Sequence, residues 1–405
     1  MNSKTIGGVL LVVGTTIGAG MLALPVATAE LGFWGSIVLL VSSWAIMTAS
    51  AFLFLEVNLW LPPNSNLISM AGATLGKTGQ SIVWAFYLLL LYSILCAYIA
   101  GGGDLLHYVM STAGINLPDS VTPILFVLIF GLVVYFGMRS VDYVNRGLMM
   151  GKMGALILLI VMILPFVTSH NLSSGEFKHI VSPNSITIAV LAFTSMMIIP
   201  SLRTYFNDDV KTLRKVIFFG SLIPLLCYIA WDMAILGVIP LQGSPGMLQM
   251  TKSATSNSDL IVALKTLLHK DTVTTLAKFF TSICMATSFL SISLSLSDFL
   301  SDGLKVSKKG VSGNSIIMGA TFLPPVVVVL FYPDAFMRGL EYAGLSCLIL
   351  MLLLPAVMAW FGRYRLALTT ADGGQQHQIG GGKLLLVFLM VFATLIIGFG
   401  LKGIF

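Results

Sequence analysis

Long apolar segments recur from one end of this chain to the other, and they constrain its fold more than any other feature. About 20 consecutive apolar residues suffice for a helix to cross the hydrocarbon core of a bilayer. Eleven such segments lie between charged or Gly/Pro-rich stretches, near residues 6–30, 34–60, 80–111, 120–138, 145–168, 184–206, 213–239, 273–302, 313–332, 341–361 and 384–404. The sequence therefore predicts an all-α polytopic membrane protein with 11 transmembrane helices.

The low charge of the chain agrees with that prediction. Only 9% of its 405 residues are charged, whereas soluble domains carry roughly 25%. Its net charge of +6 comes from basic residues spread over short loops, so no nucleic-acid partner is expected. The four cysteines lie inside apolar segments without metal-type spacing, so no metal ion or other cofactor is expected either. We expect one transmembrane domain over residues 1–405 in contact with membrane lipids, and no obligatory protein partner is evident.

The distribution of Lys and Arg predicts the orientation of the helices. With a cytoplasmic N-terminus, about two thirds of the 22 basic residues fall on the cytoplasmic side, as the positive-inside rule requires. An even number of spans would break this alternation of basic and non-basic loops. The C-terminus is therefore expected on the opposite, periplasmic side.

The first apolar segment contains residues that weaken a helix in the middle of the bilayer. Gly18 and Gly20 lower its helix propensity, and Pro25 lacks a backbone donor. Backbone groups freed at that depth are tolerated where they line a cavity or bind something. The alternative is a Gly-rich face for close helix packing.

The sixth segment repeats this pattern. The residues 193–196 place Thr and Ser in mid-span, and Pro200 follows. Because the first and sixth segments are five apart, they run in opposite directions. Interrupted helices at matching places in two halves are typical of an inverted repeat with a substrate site near the bilayer midplane. The predicted repeats cover about residues 6–168 and 184–361, with 384–404 as an extra helix.

Motifs along nearly the whole chain carry a family resemblance. The set begins with Gly-Thr-Thr-Ile-Gly-Ala-Gly-Met-Leu-Ala-Leu-Pro at residues 14–25. The other motifs are Leu55–Leu59, Ala97–Gly103, Ile199–Leu202, Leu213–Lys215, Ala286–Leu290 and Asp298–Gly303. Together they resemble the bacterial hydroxy and aromatic amino-acid permeases, the tyrosine/tryptophan transporter family. The resemblance implies an inner-membrane transporter, not an enzyme, with a LeuT-like 5+5 inverted repeat, broken helices 1 and 6, and an extra helix 11.

The same resemblance implies proton-coupled import of tyrosine or another aromatic amino acid by alternating access. Tyrosine and tryptophan members tend to carry Phe-Gly-Phe-His in the unwound part of helix 6, whereas this chain has Phe193, Thr194, Ser195 and Met196. A proton relay through that His is impossible here. The alternative is a serine/threonine or other neutral amino-acid carrier of the same fold, with sodium in place of the proton. A channel or a membrane enzyme has no support in the sequence.

A zwitterionic amino acid needs an anion site, a cation site and a side-chain pocket. The amides of an exposed half-helix can bind the carboxylate, and freed carbonyls can accept from the ammonium. The residues predicted for these roles in helices 1, 3 and 6 are Thr16, Ile17, Gly18, Ala19, Gly20, Tyr92, Tyr98, Phe193, Thr194, Ser195 and Met196. For each tyrosine the alternative is a core hydroxyl bonded to a neighbour.

Lys152 is the candidate for coupling transport to a proton. An ammonium deep in a span is costly, so such a group can gain and lose a proton. In proton-coupled relatives of this fold, a lysine in the fifth span resembles a built-in substitute for sodium. The other residues predicted for the ion site are Gly14, Thr15, Ser288, Ser291 and Ser295. The alternatives are that Lys152 extends to the membrane interface and that the serines only pack between helices.

Overall fold

The computed structural model describes residues 3–18, 20–62, 65–251, 253, 256–308, 310–332, 334–368 and 378–404. Within these ranges the regular structure is helical, without a strand, which confirms the predicted all-α class. The helices are α1 (Ser3–Thr16), α2 (Gly20–Ala27), α3 (Gly32–Leu59), α4 (Leu67–Thr112), α5 (Val121–Tyr135), α6 (Met138–Ile163), α7 (Ser169–Leu172), α8 (Pro183–Ala192), α9 (Ile199–Phe206), α10 (Val210–Val238), α11 (Met247–Met250), α12 (Ser256–Leu268), α13 (Asp271–Leu304), α14 (Val311–Phe331), α15 (Ala335–Cys347), α16 (Leu354–Tyr364) and α17 (Gly382–Ile404). A π-helical segment, Leu348–Leu353, joins α15 to α16.

Nine segments among the described residues are long and apolar enough to span a membrane. A tenth candidate is the pair α1 and α2, which are bent by 56° across a short break. Helix α5 is also apolar but has only 15 residues, against about 20 for an ordinary span. The chain is therefore a polytopic membrane protein. The predicted total of eleven spans would require α5 to be counted, and it stays a prediction.

Two helix breaks lie where the sequence places glycine, polar residues and proline in mid-span. The first separates α1 from α2 at residues 17–19, of which the described Ile17 and Gly18 form a bend. The second separates α8 from α9, with residues 193–195 outside any helix and a single 3-10 turn at Met196–Ile198. Both predicted interruptions are present in the structure. The inverted relation between the two halves, and with it the LeuT-like fold, stays a prediction.

The helix that contains the third span begins earlier than the apolar segment of that span. Helix α4 starts at Leu67 because Asn66 caps it, with Oδ1 accepting from the Ser69 amide at 2.9 Å. A change of direction occurs at Gly76, whose φ of 73° is readily adopted only by glycine. The stretch before the apolar segment is therefore a helix of its own, continuous in sequence with the span.

Long helices pack around the two breaks. Helix α10 packs against α1 and α3, α13 against α4 and α6, and α15 against α4 and α8. Helix α2 packs against α8, which brings the two broken spans together. The interior between these helices is mostly apolar. Polar and ionisable side chains buried there are costly, so each of them is a candidate for function.

Two buried arginines hold the C-terminal end of α3. Arg363 of α16 donates two hydrogen bonds of 2.6 Å to the Glu56 carboxylate. The amide of Ile379, just before α17, donates to the same carboxylate at 3.0 Å. Arg203 of α9 donates to the carbonyl of Asn58 at 2.5 Å. The end of α3 is thus bonded to α9 on one side and to α16 and the start of α17 on the other.

The N-terminus of α10 is capped by Asp209. Its carboxylate accepts hydrogen bonds from the Thr212 hydroxyl and from the amides of Thr212 and Lys211. These hydrogen bonds hold the pKa of the Asp209 carboxyl below its usual value. The cap fixes where α10 begins.

Candidate functional site

Lys152 places its ammonium at the first helix break. Nζ donates a 2.6 Å hydrogen bond to the carbonyl of Ile17, and the residue is 1% exposed. It lies about 21 Å along α6 from Met138, where that helix begins. The side chain therefore stays inside the bundle instead of extending to an end of the helix. Among the described residues Lys152 forms no ion pair, and the Ile17 carbonyl is the acceptor of its hydrogen bond.

Gly18 lies directly against Ser288 of α13. A Cβ atom added at Gly18 would come within 2.7 Å of Ser288 Oγ, closer than real Cβ contacts. The Ser288 side chain also hydrogen-bonds with Tyr98 of α4. Cys284, one turn earlier on α13, lies near Lys152. These contacts bring the first break together with α4, α6 and α13.

The Tyr228 hydroxyl on α10 bridges the two helix breaks. It lies 2.8 Å from the carbonyl oxygen of Thr16, which ends α1, and 2.9 Å from that of Ala192, which ends α8. The residue is fully buried, with its ring centroid 5.3 Å from that of Phe193. A tyrosine hydroxyl has one proton, so it donates to only one of the two carbonyls at a time. Sequence analysis missed Tyr228, and the only available signal was a polar aromatic residue in mid-span.

The second break meets α15. Thr194 Oγ1 lies 2.8 Å from Sγ of Cys347, the last residue before the π-helical segment. Met196 is fully buried, and Ser195 is partly exposed. π-helical turns inside α-helices occur frequently at functional sites. The contact between Thr194 and Cys347 therefore joins the second break to the start of the π-helical segment within an apolar interior.

A cavity of about 940 Å³ connects the second break to one end of the bundle. Met197 and Pro200 line it from the break. Opposite them is an aromatic cluster, in which the ring centroid of Phe299 is 5.4 Å from that of Trp84 and 5.1 Å from that of Tyr87. Its remaining polar lining includes Asn66, Ser69, Gln80, Ser295, Asp298, Ser301, Asp302, Lys305 and Ser307. Charged and polar walls of this kind keep a passage hydrated inside an apolar bundle.

Two predicted site residues lie away from the breaks. The Tyr92 hydroxyl donates a 2.7 Å hydrogen bond to the carbonyl of Ala320 on α14. This is a core hydroxyl bonded to a neighbour, the alternative to a role in substrate binding. Thr15 is exposed, and its hydroxyl donates to the carbonyl of Val12 on its own helix at 2.8 Å. Neither side chain is brought to the first break.

The remaining predicted residues are distributed as follows. Ser291 and Ser295 are exposed and donate to carbonyls one turn earlier on α13, each at 2.9 Å, and Ser295 also lines the cavity. Gly14 faces Met149 of α6, and a Cβ added at Gly20 would lie 4.0 Å from the Cα of Ala192. Ala19 lies outside the described residues. In the part of the chain that the structure describes, no three His, Cys, Asp or Glu side chains are grouped to hold a metal ion.

Comparisons of the sequence with known proteins show which family it matches. A family model described as the tryptophan/tyrosine permease family matches residues 1–399. The chain is 33% identical over 394 residues to "Tyrosine-specific transport system 1" of Haemophilus influenzae, covering 97% of this chain and 96% of that protein. It is 28% identical over 394 residues to "Tryptophan-specific transport protein" of Pseudomonas aeruginosa, covering 96% and 92%. It is 29% identical over 401 residues to "Glutamine transporter 2" of Aliivibrio fischeri, covering 98% and 99%.

Proposed function

The chain belongs to the tryptophan/tyrosine permease family, and from that premise we propose that it imports an aromatic amino acid, with tyrosine as the first candidate, together with a proton. The observation that carries this proposal is the junction of the two broken spans. The Tyr228 hydroxyl joins the broken ends of α1 and α8, and the Lys152 ammonium lies on the first break. We place the transporter in a bacterial inner membrane, with the cavity open to the cytoplasm, and we assign it alternating access on a LeuT-like 5+5 fold.

The substrate carboxylate is assigned to the first break. Helix α2 begins at Gly20. The amide of Met21 donates to the Gly18 carbonyl at 3.2 Å, and the other amides of the first turn have no partner within the helix. Such a helix N-terminus attracts an anion through its free N–H groups and its dipole. Gly18 and Gly20 carry no side chain that would keep a carboxylate from the backbone. The substrate ammonium would then bind carbonyl oxygens of the second break, at Phe193 and Thr194.

The side-chain pocket is assigned to Tyr98, Phe193 and Met196. All three are nearly or fully buried, and two of them are aromatic. An aromatic substrate ring gains from offset or edge contacts with such rings, and a methionine adapts to its shape. Thr194 and Ser195 favour a second candidate, a neutral polar amino acid, because their hydroxyls would be within the same break.

Proton coupling is assigned to Lys152. As an ammonium it supplies a positive charge at a freed carbonyl, which is the role that a bound sodium ion would otherwise have at such a break. A neutral lysine donates a weaker hydrogen bond, because charge-assisted bonds are roughly twice as strong. Loss of the proton would therefore loosen α6 from the first break. The coupling ion under this proposal is the proton, and sodium is the alternative.

Gly18→Ala tests whether the first break is part of the site. The added methyl group would collide with Ser288 Oγ at 2.7 Å and would intrude on the proposed carboxylate position. We expect the affinity for tyrosine to fall by roughly 5- to 100-fold, because overpacking a tight interior costs about 1–3 kcal/mol. Binding of radiolabelled tyrosine to the purified protein measures it. Gly7→Ala on the same helix is the matched control, since its added Cβ would meet Tyr205 at an ordinary 3.6 Å. Equal affinities for the two variants would remove Gly18 from the site.

Transport by the purified protein in liposomes tests the function itself. With an inward proton gradient and no sodium, we expect accumulation of radiolabelled tyrosine, competition by tryptophan, and loss of the accumulation when a protonophore is added. Liposomes without protein are the control. Accumulation that needs a sodium gradient would replace the proton by sodium. Competition by glutamine, serine or threonine but not by tryptophan would replace the aromatic substrate by a polar one.

A further inference from the structure

A second ionisable side chain is buried in the bundle, on a different helix from Lys152. Asp232 lies on α10, one turn after Tyr228, and is 0% exposed. Its Oδ2 is in hydrogen-bond contact with the Ser36 hydroxyl and lies 3.3 Å from Thr28 Oγ1. Its Oδ1 is buried and has no hydrogen-bond partner among the described residues. The Asp232 cluster, defined as Asp232, Thr28 and Ser36, thus joins the turn after α2 and the start of α3 to α10.

No charge compensates this carboxyl group in the part of the chain that the structure describes. The helices and turns packed around α10 carry ionisable side chains whose surroundings the structure describes, and each of these has other contacts or is exposed to solvent. Those with other contacts are Lys4 against the rings of Tyr205 and Phe206, Glu30 paired with His179, Glu56 with Arg363, Lys152 on the Ile17 carbonyl, and Arg203 paired with Asp208. Those exposed to solvent are Arg139 and Asp142 on α6 and His170 on α7. On α10 itself the nearest is Tyr228, whose hydroxyl contacts two backbone carbonyls. An ionised and unpaired carboxylate in such a place costs several kcal/mol, so the neutral acid is favoured.

Counting hydroxyl protons leads to the same conclusion. Thr28 carries one hydroxyl proton but contacts two acceptors, the carbonyl of Leu24 at 2.9 Å and Oδ2 of Asp232 at 3.3 Å. A threonine hydroxyl donates to one acceptor while its lone pairs accept from others. If Thr28 donates its hydroxyl proton to the Leu24 carbonyl, its oxygen can only accept a hydrogen bond from Asp232. The Asp232 carboxyl group must then carry the proton of that second hydrogen bond. A protonated Asp232 therefore satisfies both contacts of Thr28, and an ionised one does not.

The cluster lies far from the cavity. Asp232 is about 33 Å along α10 from Val210, and the Val210 end is the one next to α9, whose Pro200 lines the cavity. The opposite end of the bundle, which contains the cluster, is closed around Asp232. Separation of α2 from α3 and α10 would break the contacts of Thr28 and admit water to the carboxyl group.

We propose that Asp232 is a proton-binding site, which is occupied while this end of the bundle is closed and exchanges its proton with water when α2 separates from α3 and α10. The step is the addition of one proton to the carboxylate, with no other bond made or broken. As a role in transport it rests on the proposed function, and it adds to Lys152 a second proton site that opens to the other side of the membrane. Proton occupancy itself does not depend on what the protein transports.

Infrared difference spectroscopy on the purified full-length protein tests the occupancy. A protonated carboxyl group absorbs at the C=O stretch, apart from ionised carboxylates. We expect this band in the wild type at neutral pH, its absence in Asp232→Asn, and a shifted band in Ser36→Ala, because the frequency responds to the lost hydrogen bond. Glu30→Gln is the control, since Glu30 is exposed and should not contribute. Identical spectra of the wild type and Asp232→Asn, or an unshifted band in Ser36→Ala, would overturn the proposal.

Transport assays test the coupling role separately. Asp232→Asn resembles a carboxyl group that cannot release its proton, so we expect exchange of internal for external tyrosine to continue while net accumulation is lost. Asp232→Glu can still titrate and should accumulate tyrosine with a shifted pH dependence. Ser221→Ala is the matched control, because Ser221 joins the same two helices through Trp44 and Thr48 without an ionisable group. Normal accumulation by Asp232→Asn would remove Asp232 from coupling.

The two proposals can fail independently. If the wild type shows the infrared band but transports no aromatic amino acid, the proposed function fails and the proton site stands. If the wild type transports tyrosine without the band, the proton site fails and the function stands. Should Asp232→Asn not fold, the band shift in Ser36→Ala and the pH dependence of Asp232→Glu still decide the question.

Discussion

In liposomes with an imposed proton gradient, the Lys152→Ala variant is expected to accumulate no tyrosine, although it still binds the amino acid. The substitution removes the amine on the first break and its 2.6 Å hydrogen bond to the Ile17 carbonyl. A hydrogen bond to a charged group is worth about 1.5–3 kcal/mol, so binding should weaken by roughly 10- to 100-fold. Uptake as a function of the proton gradient and binding of radiolabelled tyrosine measure the two effects.

Two further lysine variants make this result specific. Lys152→Arg keeps a cationic donor, but arginine does not release its proton in proteins, so exchange should continue without accumulation. Lys178→Ala removes an exposed lysine between α7 and α8, paired with Glu176, and should leave uptake as in the wild type. If Lys152→Ala uptake still follows the proton gradient, Lys152 is not the coupling residue and sodium coupling becomes the leading alternative.

A Tyr228→Phe variant is expected to transport tyrosine more slowly by roughly 5- to 100-fold. The change removes only the hydroxyl that lies between the carbonyls of Thr16 and Ala192. A buried carbonyl left without a donor costs about 1–3 kcal/mol. In this variant the carbonyls left without the donor are those at which the two broken spans meet. Initial rates of uptake at saturating tyrosine measure the effect, and thermal unfolding of the purified protein measures the accompanying loss of stability.

Tyr92→Phe is the matched control for Tyr228→Phe. It also removes a tyrosine hydroxyl from a backbone carbonyl, that of Ala320, but away from both breaks. We expect a similar loss of stability and near-normal uptake. If both variants slow uptake to the same extent, the hydroxyl of Tyr228 supports only the stability of the bundle.

The two helix breaks could be predicted from the sequence because their cause is local. Glycine and proline weaken a helix in its interior, so Gly18 and Pro200 marked interruptions before any packing was known. The depth of Lys152 was less clear, since α6 begins at Met138 instead of near residue 145. The extra turns place its ammonium well inside the bundle, where it meets Ile17.

The contacts across the bundle could not be predicted, because helical periodicity does not say which neighbour a face meets. Tyr228 contacts a carbonyl 212 residues away in sequence. Asp232 contacts Ser36 at a separation of 196 residues. Tyr92 looked equivalent to Tyr98 in the sequence, yet one reaches α14 and the other Ser288 of α13.

The hydrogen bonds at the end of α3 connect it to α16 and to the residues just before α17. Glu56 accepts from Arg363 at the end of α16 and from the amide of Ile379 just ahead of α17. If α3 changes its tilt, α16 and the start of α17 would therefore move with it as one unit. Separating α3 from α16 would break the buried ion pair between Glu56 and Arg363, at a cost of several kcal/mol. Helix α17 would then move together with α3, and a shift in its position would indicate the conformational change of the transport cycle.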